Sequence, residues 1–115
     1  MTDERTARIS FAGDLDVYRR DEIASALPSP ESIDRVIIDL REATIIDSSI
    51  LAILMRYRRT FSDAGKDPHE IVIIVRPQLR RVFEITGLLK SLTIVSAGSE
   101  IGSTGSATAE PLGEA

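Results

Sequence analysis

Asp47, Ser48 and Ser49 stand in a row just ahead of an amphipathic run that reaches Ala64. A carboxylate and two hydroxyls at the mouth of a helix have two uses. They can accept hydrogen bonds from the free amides of the first turn. That helix mouth is also where an anion, including a phosphate, is best tolerated. On residue types alone both readings stand. Asp14 and Asp16 are the other acids placed to matter, since each follows a strand and precedes a helix. Together with Asp47 they could meet at one end of a sheet, where convergent carboxylates bind Mg²⁺. Aspartate also suits a helix N-terminus electrostatically, so capping is the preferred reading and no metal site is expected.

Other chemistry finds little support. The residues around Ser49 lack a glycine-flanked nucleophile elbow, and the sole histidine, His69, falls in a loop beyond the far end of the helix. A serine hydrolase is therefore rejected, and His69 is read as a solvent-exposed loop residue. No phosphate-cradling glycine loop or dinucleotide fingerprint occurs, so no cofactor is expected. Arg19-Arg20, Arg56/Arg58/Arg59 and Arg80-Arg81 read as solvated helix faces. The chain has 14 Lys+Arg against 18 Asp+Glu, a formal charge of -4 and a pI near 5.0. That balance argues against a direct nucleic-acid partner, which would need phosphate neutralisation. The absence of cysteine removes disulfides, thiolate catalysis and cysteine metal sites. No apolar run approaches spanning length and no signal core opens the chain. A soluble, cytoplasmic protein without a membrane partner is the simplest expectation.

The elements that must position these residues follow from the apolar pattern. Ala7, Ile9 and Phe11 alternate with Arg8 and Ser10, as in a half-exposed strand. Gly13-Asp14-Leu15-Asp16 breaks it, and the two aspartates are placed to cap a helix from about Val17. Ile23, Ala24 and Leu27 form that helix's apolar side, and Pro28-Ser29-Pro30 stops it. Val36, Ile37, Ile38 and Leu40 make a β-branched run suited to a buried strand. Ile50, Ile53, Leu54, Tyr57 and Phe61 then recur at helical spacing up to Gly65, a C′ glycine. After a polar loop, residues 71–75 read as a strand and Pro77 opens a third helix that ends at Gly87. Leu92-Thr93-Ile94-Val95 is a last short strand. Strand–helix alternation of this kind predicts a mainly parallel α/β sheet with covering helices.

Four stretches now carry a family resemblance: residues 11–16 (Phe-Ala-Gly-Asp-Leu-Asp), 36–40 (Val-Ile-Ile-Asp-Leu), 46–49 with Leu51, and 77–88 (Pro-Gln-Leu-Arg-Arg-Val-Phe-Glu-Ile-Thr-Gly-Leu). In this order and spacing they resemble the STAS domain of bacterial anti-sigma factor antagonists, over about residues 7–95. The resemblance implies one α/β domain, a small mixed sheet with helices packed mainly on one face. Residues 1–6 are expected to be a flexible N-terminus and 96–115 a disordered tail. Ile50 departs from the family, which usually has glycine or another small residue there.

By the same resemblance the chain is not an enzyme but a partner-switching protein. It would bind an anti-sigma factor that is also a serine kinase and so release a sigma factor. Phosphorylation of Ser49, with Ser48 as the alternative, would end that binding, and a serine phosphatase would reset it. Asp14, Asp16, Asp47, Ser48, Ser49, Ile50 and Leu51 are the implied partner-binding residues. The competing implication is a STAS module that never switches, either a scaffold subunit or a transport-associated one.

The tail offers almost no apolar surface to offset its ordering entropy. Deleting residues 97–115 is expected to leave the melting temperature nearly unchanged. A fall of about 8 °C or more, the scale of losing one to two kcal/mol in a domain this size, would show that the tail packs.

Overall fold

Strand β3 (Arg35–Leu40) lies between β1 (Thr6–Ser10) and β5 (Ile71–Val75), and β5 in turn pairs with β6 (Thr93–Ser96). These assignments come from a computed structural model, which describes residues 5–87, 90 and 92–96. The order β1-β3-β5-β6 is parallel at every pairing. The mixed sheet implied by the resemblance is thus corrected to a parallel one among the described residues. A crossover carrying a helix separates each strand of this sheet from the next, and such crossovers return the chain to the same end, as parallel pairing requires.

Burial alternates along the strands. Val36, Ile38 and Leu40 of β3 and Ile71, Ile73 and Val75 of β5 are buried, whereas Ile37, Val72 and Ile74 are half-buried. Helices α1 (Arg20–Ala26), α2 (Ser48–Asp63) and α3 (Pro77–Thr86) cover the buried face. Ile23 from α1, Ile50, Ile53, Leu54 and Phe61 from α2, and Leu79 and Phe83 from α3 join the strand residues in one core. Ala24, expected on the buried side of α1, is exposed, and only Ile23 of that helix is fully buried. Burial pushes the Tyr57 hydroxyl up to about 12, and it donates to the Pro28 carbonyl at 2.7 Å, pinning the end of the α1 connection to α2.

A second parallel pair, β2 (Gly13–Leu15) with β4 (Ala43–Ile46), was not foreseen from the pattern. It extends the β1/β3 pairing after a break. Phe11 N–H donates to the Asp39 carbonyl at 3.2 Å and Gly13 N–H to the Glu42 carbonyl at 3.0 Å, so the two tracks stay together through the gap. Gly13 takes φ +81 at a register shift in this pair, a conformation that only glycine adopts without strain. Residues 17–19 form a 3₁₀ turn, so α1 begins three residues later than the expected start.

The chain ends of the sheet are also refined. Thr6 already belongs to β1, and the Arg5 N–H donates to Asp34 at 2.9 Å, so the loose N-terminus does not include these two residues. Ser96 closes β6 and accepts from Arg80 at 3.0 Å rather than starting a tail. Residues 1–4, Leu88 and 97–115 lie outside the described residues.

Asp34 joins three segments: the Arg5 amide, the Lys66 ammonium at 3.0 Å and its own turn before β3. The Arg5 amide first, then Lys66, lowers its carboxyl from 3.8 to about 2. A depressed carboxyl contributes stability above its unfolded pKa and loses it as pH falls through the folded one. Native protein is therefore expected to lose its melting-temperature advantage over Asp34→Asn as pH drops from about 4 to about 2. An advantage that stays constant across that window in thermal melts would remove Asp34 as the cause.

Candidate functional site

Asp47 is the N-cap of α2, and the two serines are the first residues inside the helix. One oxygen, Oδ1, accepts the Ser49 N–H at 3.0 Å, the Ile50 N–H at 3.3 Å and the Ser49 hydroxyl at 2.5 Å. The Ser49 hydroxyl foremost, with the amides of Ile50, Ser49 and Val17, holds the Asp47 carboxyl below the usual carboxylate range. The cap is thus the aspartate, and neither serine is needed for it. Ser49 is half-buried, and Ser48 is exposed with its hydroxyl unengaged among the described residues.

The β2–β4 pairing brings the other acids alongside. Leu15 pairs with Ile46 and Asp14 with Ile45, and the Asp47 N–H donates to the Leu15 carbonyl at 3.1 Å. Asp16 caps the turn at residues 17–19 by accepting the Tyr18 N–H at 3.0 Å. Asp14 caps no helix: it accepts the Thr44 hydroxyl at 2.5 Å across the strand pair. The three carboxylates share one end of the sheet, but each is held by its own local donors. Among the described residues no acidic or histidine group could hold a metal ion.

Arg19 steadies this end. Its guanidinium grips Glu22 at 2.9 and 3.0 Å and reaches the Ala12 and Asp14 carbonyls across the Gly13 turn. Asp39, only 9% exposed, sits at the neighbouring end of β3. Burial alone would raise its carboxyl, but hydrogen bonds from Arg41 and the charges of Arg41 and Arg8 outweigh it and hold it below the usual range. His69 lies in the loop before β5, exposed, with its ring 3.2 Å from Asp67.

The chain reproduces a known architecture. The STAS domain family profile matches residues 2–101. The chain belongs to the STAS domain family. Its fold is also similar to the solved structure of the anti-sigma factor antagonist SpoIIAA in its unphosphorylated form, with a TM-score of 0.59, 16% identity and 89% of each chain covered. At that identity the likeness speaks to the fold.

In this STAS domain two of the expected partner-binding residues move to the core. Ile50 is 1% and Leu51 7% exposed, so packing under the helix occupies both side chains. The bulk of Ile50 is directed inward, into the core. Three apolar residues nearby face water. Tyr18 is 93% exposed, Val17 46% and Ile45 54%, on the segments that flank the Asp47 cap. The signal for Val17 and Tyr18 was present: an apolar pair directly after the capping Asp16.

Asp47 receives three hydrogen bonds from its helix where Asp16 receives one from its turn. Asp47→Ala is accordingly expected to lower the melting temperature by several degrees, and Asp16→Ala by less. The reverse order in thermal melts would show that Asp47 is not the principal tie at this end of the sheet.

Proposed function

We propose that this STAS domain is an anti-sigma factor antagonist that works by partner switching. It binds an anti-sigma factor that is also a serine kinase, and a sigma factor is released. The kinase phosphorylates Ser49, binding ends, and a serine phosphatase restores the free hydroxyl. The single observation that carries this reading is the division of labour at the start of α2: Asp47 does the capping, so Ser49 is free to change its chemistry without unfolding the helix.

The electrostatics favour such a switch. A phosphate adds about −1.5 to −2 charge at neutral pH. At a helix N-terminus it is stabilised by free amides and the dipole. Toward Asp47 it is a like charge, where the hydroxyl had been a hydrogen-bond donor at 2.5 Å. With Asp14, Asp16 and Asp47 close by, the modified surface becomes strongly negative. A partner seated over it must then desolvate and face a repelled dianion. Val17, Tyr18 and Ile45 supply the exposed apolar area that such a partner can cover, and tyrosine is a frequent anchor at interfaces. Ser48 is the alternative acceptor because its hydroxyl is more open.

Phosphopeptide mapping of Ser48→Ala and Ser49→Ala, labelled by a serine kinase of the histidine-kinase-like ATPase type, identifies the acceptor. Label is expected to vanish only with Ser49→Ala. Ser49→Asp is expected to bind the kinase roughly thirtyfold more weakly, on the order of 2 kcal/mol, while remaining folded. Equal affinities for Ser49→Asp, Ser49→Ala and native protein, all folded, would replace switching with a constitutive scaffold role.

A further inference from the structure

Helix α2 continues outward from the two serines as a single exposed ridge. Ser48, Ala52, Met55 and Arg59 lie at the i, i+4, i+7 and i+11 positions that share a helix face, and all four are exposed. Arg56 flanks Met55 and is exposed too. The side chain of Ala52 is small enough to admit a close neighbour. Met55 is 44% exposed, a large apolar side chain left in water in the middle of the ridge. Thioether side chains adapt readily to an opposing surface.

The charge on this ridge is unanswered. Arg8, Arg20, Arg35 and Arg80, on β1, α1, β3 and α3, each form an ion pair. Among the described residues Arg56, Arg58 and Arg59 form none, and even Asp63, four positions beyond Arg59, stands outside ion-pair distance. Arg56 and Arg59, three positions apart, share a helix face as like charges. They stand on a chain whose formal charge is -4, so the ridge is a local reversal of the molecule's overall sign.

Size joins the ridge to the switch. From Ser48 to Arg59 the helix rises about 16 Å. A stable interface covers about 800 Å² on each partner, a patch of roughly 16 Å radius. A partner centred on the start of α2 therefore reaches Met55 and Arg56 and extends to Arg59. We infer that the exposed α2 ridge Ala52–Met55–Arg56–Arg59 is a second docking element for the same partner protein, against an acidic surface with an apolar centre. This deepens the partner-switching reading and rests on it. The ridge and the serines then do different work. The serine end senses modification, whereas the arginine end attracts and selects an acidic partner, chiefly through the association rate and its salt dependence.

The probe is the purified serine kinase that labels Ser49, titrated calorimetrically with ADP present against full-length native protein and variants. Arg56→Glu/Arg59→Glu is expected to bind at least tenfold more weakly than native and to lose most of the native salt dependence, with melts confirming its fold. Should this pair destabilise the helix, the single Arg59→Gln reads the same effect at smaller size. Arg81→Glu, on α3, reverses one exposed charge off the ridge and is expected to bind nearly as native. If the ridge variants bind as tightly as native, or if Arg81→Glu weakens binding as much as they do, the ridge is not a docking element although the switch at Ser49 survives. If no serine kinase labels or binds the native chain, the partner-switching reading fails and the inference fails with it.

Discussion

The Asp47 carboxylate is the contact on which the rest of the site depends. It satisfies the first free amides of α2, holds the Ser49 hydroxyl, and through its own N–H extends the β2–β4 pairing by one more bond to Leu15. A helix N-terminus without a cap leaves polar groups unpaired next to a core. Here that core includes Ile46, Ile50 and Leu51, immediately on either side of the cap. Placing the cap on an aspartate rather than on a serine separates two groups. The carboxylate that stabilises the helix and the serine hydroxyl bonded to it are neighbours but not the same side chain.

Parallel pairing brings the pieces to this point. In a parallel sheet the C-terminal ends of the strands lie on one edge, and the loops that leave them meet there. β1 and β3 run side by side, break together near Phe11 and Arg41, and resume as β2 and β4. The Arg8–Asp39–Arg41 cluster and the Arg19 clamp lie at that break. A buried aspartate with two guanidiniums is costly to leave half paired, so the cluster favours one arrangement of the strand ends. Asp14, Asp16 and Asp47 come together because two short strand segments stay in register across this break, although about thirty residues separate the first pair from the last.

The outer surface divides by chemistry along a single helix. Near its start lie carboxylates and exposed apolar side chains, and further along lie arginines that form no ion pair among the described residues. The carboxylate end suits the helix dipole, whereas the arginines stand short of the last turn.

Most of the secondary structure was legible in the amino-acid sequence, for reasons that are local. Residues 71–75 are β-branched throughout, α2 repeats its apolar residues every three or four positions, and Gly65 and Gly87 adopt φ +80 and +79 where helix ends require it. The Asp-Ser-Ser stretch was legible as a helix mouth by the same logic. Local pattern could not reveal β2 and β4, because three and four residues are too few for a period to register and Gly13 reads as a break. Nor could it say which of Asp47, Ser48 and Ser49 would cap, because all three side chains are able to. The helical phase turned Ile50 inward with the rest of its apolar stripe and Leu51 with it, although the family resemblance implied both for a partner. Element types follow from spacing and composition along the chain. The cap, the strand ends that flank it and the side chains left facing water were decided by tertiary contacts, because burial and hydrogen-bond geometry exist only once distant segments have met.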